Sequence, residues 1–263
     1  MRRIAAVARN TFREAARNKI LYSLLFFALA LIASALALGE LSGHEERRMI
    51  RDGGLVGGDV FSVLIAIFVG VNLLYKELAL KTVYTILPKP IARWEFVLGK
   101  WLGVMATLVA QVAIMGAAVA ATLAVEGGAD AVDAALGKAL WLLLMNVTIV
   151  TSVALFFSSF STPFLSGMFS LGVFVVGRSV PDVRLLAARI GGGAGRALAG
   201  ACAVLPNLHL FTPSGSAVGG QHVSVHGGFV GSSYLAWTSL YAIGYSAAVL
   251  GLAMLIFRRR DFV

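Results

Sequence analysis

Six stretches of this 263-residue chain are long and apolar enough to cross a bilayer, at about 17–25 residues each. They run over residues 20–38, 55–75, 101–125, 139–157, 160–177 and 234–257. In hydrocarbon every backbone N–H and C=O must be satisfied within the chain, so runs of this length without strand alternation are predicted to be helices. The expected fold class is all-α: a polytopic membrane protein with six transmembrane helices, forming one domain over residues 1–263. Composition agrees, with 59% hydrophobic and 13% charged residues and a mean hydropathy of +0.86. A soluble chain of this size has too little interior to hide that much apolar surface. No small-residue cleavage site follows the first run before Glu40, so it is expected to remain as a span and not to be removed as a signal peptide. The single cysteine, Cys202, excludes an internal disulfide framework and a cysteine-based zinc cluster.

The net charge is +9, from 22 Lys and Arg against 13 Asp and Glu. In a soluble protein that excess would suggest nucleic acid. Here its placement suggests topology. The N-terminal segment, the connection between the second and third spans, and the C-terminus together hold 14 basic and 4 acidic residues. The other connections hold 8 basic and 9 acidic residues. Lys and Arg concentrate on cytoplasmic loops, so both termini are expected in the cytoplasm of a bacterial inner membrane, as an even number of spans requires.

Residues 1–19 carry Ile4, Val7, Ala8, Phe12, Ala15 and Ala16 at three- and four-residue steps. That pattern predicts an amphipathic helix on the cytoplasmic membrane surface, with Arg9, Phe12, Arg13 and Arg17 at the lipid headgroups. The plainer alternative is a positive flank to the first span. Residues 178–233 form the expected extracytoplasmic segment. Within it, 185–205 is moderately apolar but holds Arg189, Arg196 and the run Gly191, Gly192, Gly193. Two arginines inside a span cost about 2.5–3.5 kcal/mol each, so this stretch is expected as one or two short interfacial or re-entrant helices, ended at Pro206. Residues 212–231, rich in Gly, Ser and His, read as loop.

Sites of chemistry are sparse. No G-x-x-x-x-G-K-[ST] phosphate loop is present, so the chain is not expected to hydrolyse ATP by that route. All four histidines, His44, His209, His222 and His226, fall outside the spans, which argues against histidine-ligated haem and an intramembrane serine protease. His222 and His226 are four apart and could share a helical face as metal ligands. The intervening Val-Ser-Val favours strand or loop, with both histidines solvated. The span centres are expected to lack Asp, Glu and Lys, which disfavours an ion-coupled secondary carrier. Asn72, Gln111 and Asn146 are the candidate polar residues of the spans, as hydrogen-bonding glue between helices or as substrate contacts. Energy, if used, is expected from another polypeptide, and no cofactor is expected on this chain.

Residues 76–100 are the most informative. The second span is expected to continue as helix past the membrane, with Glu77 and Lys81 paired at i, i+4. Pro88 and Pro90 stop it. A second short amphipathic helix is predicted next, with Trp94, Val97, Leu98 and Trp101 on one face and Arg93 and Lys100 on another. The result is a charged elbow fit to carry force to or from a cytoplasmic partner.

The run from Glu77 through Lys81, Thr82, Pro88, Lys89, Pro90, Arg93, Trp94, Glu95 and Phe96 to Gly99 and Lys100 resembles the signature of ABC-2 type permeases, the membrane subunits of one class of ATP-binding-cassette transporters. Pro88 and Ala92 stand where serine is common in that signature. Further likeness lies in Asn10 to Asn18, in Phe156 to Pro163, in Leu205 to Leu208 and in Phe257 to Phe262. Within the family the chain looks like the permeases of the copper-processing system that matures nitrous-oxide reductase. The resemblance implies two permease chains working with two copies of a cytoplasmic ATPase that binds ATP and Mg. The elbow would be the coupling helix, with Glu77, Lys81, Thr82, Pro88, Lys89, Pro90, Arg93, Trp94, Glu95, Phe96 and Lys100 at the ATPase interface. The expected function is the permease half of an ATP-driven exporter. The alternative is a membrane scaffold that passes ATPase strokes to an extracytoplasmic partner protein without conducting a solute.

Overall fold

The computed structural model describes the backbone of residues 2–41, 46–79, 92–127, 134–212, 217–218, 221–222 and 231–259, and the side chains of 2–34, 51–72, 92, 94–125, 134–212 and 231–256. Among the described residues the chain is a helical bundle. Four helices are long and apolar enough to cross a membrane, or six if each of two bent pairs counts as one span.

The bundle is built around α5 (Ala134–Ser158), which is buried on nearly all sides in its second half. A helix that is apolar all round has no face for water and belongs at a centre. Helices α3 (Glu46–Ala79), α4 (Arg93–Gly127), α6 (Pro163–Arg178) and α9 (Ser232–Arg259) pack around it. Close approach depends on small residues. A Cβ on Gly116 would meet Leu140 of α5 at 2.5 Å, and one on Gly70 would meet the Ala154 Cβ at 3.2 Å. α2 (Lys19–Leu41) lies against α3 and α4, and α1 (Arg2–Ala15) lies against α4.

Two joints bend the chain. Between α1 and α2 the bend is 64°. Asn18 caps α2 there, its side-chain oxygen accepting from the Ile20 N–H at 3.0 Å. Between α6 and α7 (Val180–Ile190) the bend is 69°. α6 begins at Pro163, a few residues later than the expected 160, because proline suits the first helical position and closes the preceding turn.

Other expectations need correction. α3 starts at Glu46, well before residue 55, and with 34 residues is about 51 Å long at 1.5 Å per residue. No separate short helix occupies 93–100: Arg93–Gly127 is one continuous helix, since no residue after Pro90 interrupts it. The 185–205 stretch lies in two short helices, α7 and α8 (Gly192–Val204), and the chain leaves helix at Leu205, before Pro206. Gly191 and Gly192 both take φ of +61° at the tip of this hairpin, a region that other residues avoid. The 212–231 loop holds a two-residue antiparallel ladder, Ala217–Val218 with Gln221–His222.

After α8, residues 204–211 run along α9, ending in a short 3-10 turn at Leu208–Phe211. Three tyrosines of α9 hold them. The Tyr245 hydroxyl donates to the Val204 carbonyl at 3.2 Å, the Tyr241 hydroxyl accepts from the Asn207 N–H at 3.0 Å, and the Tyr234 hydroxyl donates to the Leu210 carbonyl at 2.7 Å. Tyr245 lies about 20 Å along α9 from Ser232, so the Val204 end of the hairpin reaches well down the bundle. Tyr241→Phe is expected to destabilise the chain by about 1 kcal/mol, because the Asn207 N–H loses its acceptor. Identical thermal unfolding of the variant and parent in detergent would contradict it.

Candidate functional site

The start of α4 and the helix that covers it form the described part of the elbow. Glu95 stands at the third helical position, and its carboxylate accepts from the Ala92 N–H at 3.1 Å. This is the glutamate half of a capping box, and it explains locally why the helix starts here. Trp94, one residue earlier, is 51% exposed. Phe96 is buried against Val97, Leu155 and Leu250 of its own chain.

α1 docks on the next turns of α4 through two glycines. A Cβ on Gly99 would meet the Val7 Cβ at 2.7 Å, and one on Gly103 would meet the Ala8 carbonyl at 2.6 Å. Glycines four apart on one helical face let two backbones approach closely. The α1 face made of Ile4, Val7, Ala8, Thr11 and Ala15 therefore meets protein, where the sequence pattern suggested the membrane surface. Arg9, Phe12, Arg13 and Arg17 remain outside this contact and exposed.

Lys100 lies under α1. It is 1% exposed, with its Nζ 3.7 Å from the Glu14 carboxylate and 5.8 Å from the centre of the Phe96 ring. The sequence pattern places Lys100 and Phe96 on an outward surface, but the structure buries both because α1 and the ends of α5 and α9 cover that side of α4. Of the remaining elbow residues, Glu77 lies in the last turn of α3 and Arg93 opens α4, with the side chains of both outside the described residues. Lys81, Thr82, Pro88, Lys89 and Pro90 lie outside the described residues altogether.

The polar span residues separate. Asn72 donates to the Phe68 carbonyl of its own helix at 2.8 Å and borders a cavity of about 350 Å³ between α3 and α6. Gln111 donates to the Ser62 hydroxyl at 3.3 Å, joining α4 to α3. Asn146, midway along α5, donates to Asp59 Oδ1 at 2.7 Å. The other carboxylate oxygen of Asp59 accepts from the guanidinium of Arg178, which also lies 5.7 Å above the Phe174 ring. The expectation of charge-free span centres is therefore corrected. Asp59 stands at the opening of the second expected span and Arg178 just after the fifth, but α3 begins early and α6 ends inside the bundle, which brings the two together beside Asn146. His222 sits in the short ladder and His226 lies outside the described residues. Among the described residues no group of three or more His, Cys, Asp or Glu could hold a metal ion.

Two features were legible in the spacing but not singled out from it. Gly99 and Gly103 form a small-x-x-x-small step at the head of a span, and Asp59 follows the Gly57-Gly58 pair where a helix neighbour is expected to come close.

No curated protein matches the chain. Residues 5–262 match the model of the family described as ABC-2 family transporter protein. That span takes in α1 from residue 5 onward, the elbow, the apolar helices and the α7–α8 hairpin. The chain belongs to the ABC-2 transporter family, as a membrane component with several apolar helices.

Proposed function

We propose that the chain is the permease subunit of an ATP-driven exporter in a bacterial inner membrane, with both termini cytoplasmic, acting as a homodimer with two copies of a separate ATPase. ATP and Mg are then held by the ATPase, and this chain holds no cofactor. The observation that carries the reading is the shape of the elbow's two arms. α3 and α4 have 34 and 35 residues, about 51 and 53 Å, against a hydrocarbon core of about 30 Å. Both helices therefore exceed the core thickness, and on the elbow side α4 begins at Arg93, ahead of the expected span at 101, while α3 runs on past 75 to Ala79. The α4 arm is braced by α1, so a push at the elbow moves two helices together. An exposed Trp94 beside Arg93 gives a partner an aromatic and cationic anchor of the kind that dominates interface energies.

The test is association with the candidate ATPase. Trp94→Ala and Arg93→Ala are expected to weaken binding about 10- to 30-fold while leaving thermal stability near the parent value. Glu95→Ala is a poor probe, because it removes a helix cap. Normal pull-down and normal coupled ATPase rates in both variants would sink the coupling role. Identification of every co-purifying chain, lipid or solute bears on the substrate and the dimer.

A second reading has its own observation. The α7–α8 hairpin exposes Arg184, Arg189 and Arg196 together with Leu185, Leu186 and Ile190. A mixed cationic and apolar surface suits an extracytoplasmic partner protein, and the likeness to copper-processing permeases points the same way. On this reading the chain is a scaffold that passes ATPase strokes outward. Capture of a periplasmic chain through the hairpin, without any solute flux, favours it over export.

A further inference from the structure

We propose that Asp59 and Arg178 form a latch that holds the break between α6 and α7 against α3, and that the α7–α8 hairpin turns about this break when the pair opens. Charged side chains inside an apolar bundle are costly, so a retained pair is a functional feature by default. Here its position says which function. Arg178 is the last residue of α6, and the chain bends by 69° just after it. Asp59 receives Arg178 on one oxygen and Asn146 on the other, so three helices, α3, α5 and α6, meet at one carboxylate. Losing Arg178 leaves the largely buried Asp59 carboxylate short of a partner, which favours two discrete arrangements over a gradual slide.

The hairpin beyond the bend is weakly anchored to the rest of the bundle. α7 and α8 pack chiefly on each other, where a Cβ on Gly195 would meet the Ala187 carbonyl at 2.5 Å. Leu185, Leu186 and Ile190 stay exposed. Two roots hold it. One is the ion pair at Arg178. The other is the 204–211 segment, tied to α9 by Tyr245, Tyr241 and Tyr234 and pressed on α6 at Gly177, where a Cβ would meet the Pro206 carbonyl at 2.7 Å. Only the first root is ionic. The Arg178 side chain keeps 28% of its exposure, so on release the guanidinium can hydrate without α6 unpacking.

The experiment uses the full chain in lipid nanodiscs, with Cys202→Ser and spin labels at Val56→Cys on α3 and Leu186→Cys on α7, both exposed positions. Labelled chain is diluted with unlabelled chain so that only distances within one chain are read. The parent is expected to give one main distance, with any second population below about 10%. Asp59→Asn is expected to raise the second population until the two are comparable. A second variant, Asp59→Leu with Arg178→Met, removes both charges and is expected to melt at most a few degrees below the parent, because an apolar pair replaces the ion pair and only the Asn146 amide loses its acceptor. It is nevertheless expected to show the second population. A stable double variant with the parent's single distance overturns the latch, as does Asp59→Asn that lowers the melting temperature without a second distance. Should Asp59→Asn fail to fold, the double variant decides. No ATPase enters the measurement, so its outcome stands apart from that of the exporter reading.

Discussion

Gly103→Leu is expected to strip α1 from α4 and to cost about 3 kcal/mol, the upper part of the range for overpacking. At this position even a Cβ would lie 2.5 Å from the Thr11 Cβ and 2.6 Å from the Ala8 carbonyl. The second of those atoms is backbone, so no rotamer change relieves the clash and the whole helix has to lift. Lifting exposes Lys100 and the Glu14 carboxylate together and removes the brace on the elbow. Trypsin digestion of the purified chain measures it, since the exposed Arg9 and Arg13 are poor sites while their backbone is helical and docked. About 3 kcal/mol corresponds to a rise of roughly 100-fold in the undocked population and in cleavage there. Gly137→Ala is the control. A Cβ there meets nothing within 4 Å, and alanine favours helix over glycine by up to about 1 kcal/mol, so that variant should be neutral or slightly more stable. Unchanged cleavage in Gly103→Leu would mean that α1 does not dock as described.

Lys100→Glu is the second large effect. It sets a buried carboxylate against that of Glu14 where a cation now stands at 3.7 Å. Removing one partner of a buried pair costs about 3–5 kcal/mol, and reversing its charge adds repulsion. The 27% exposure of Glu14 lets it turn toward water, which keeps the net loss near the lower end of that range. The expected readouts are a lowered melting temperature and faster cleavage within α1. Adding Glu14→Lys restores attraction and should recover part of the loss, with a coupling energy of about 1–2 kcal/mol in the double-mutant cycle. If Lys100→Glu melts like the parent yet loses its ATPase, Lys100 is a surface contact after all and α1 does not cover it.

These two variants separate structural from recognition roles along the elbow. Lys100, Phe96 and Glu95 act on the fold: one under α1, one against Leu155 and Leu250, one as a helix cap. Trp94 is the described side chain free to meet a partner. The same distinction applies to the ionisable groups inside the bundle. Asp59 has both oxygens engaged, by Asn146 and Arg178, so it differs from the lone carboxylate that an ion-coupled carrier would present.

Much was legible in the sequence because lipid imposes simple rules. Apolar run length predicts helices wherever backbone groups cannot meet water, and each predicted run lies in a helix here except for residues 160–162, which precede Pro163. Proline and glycine marked breaks for equally local reasons: Pro163 opens α6, and Gly191 with Gly192 turns the hairpin. The spacing of Gly99 and Gly103 was also present in the sequence, but spacing does not name what lies in the groove. The amphipathic face of α1 was legible as a face, but its contact with α4 was not, because a lipid surface and a glycine-lined helix demand the same apolar stripe.

The sequence by itself determined the class of solvent, the helices and the family, since all three depend on local composition and order. Only the tertiary structure decided which charges are buried and with whom. Lys100 and Glu14 lie far apart along the chain, as do Asp59 and Arg178, and none of the four names its partner in the sequence. Pairing depends on where helices end within the bundle and on which faces meet. Those are properties of packing, which no window of sequence contains.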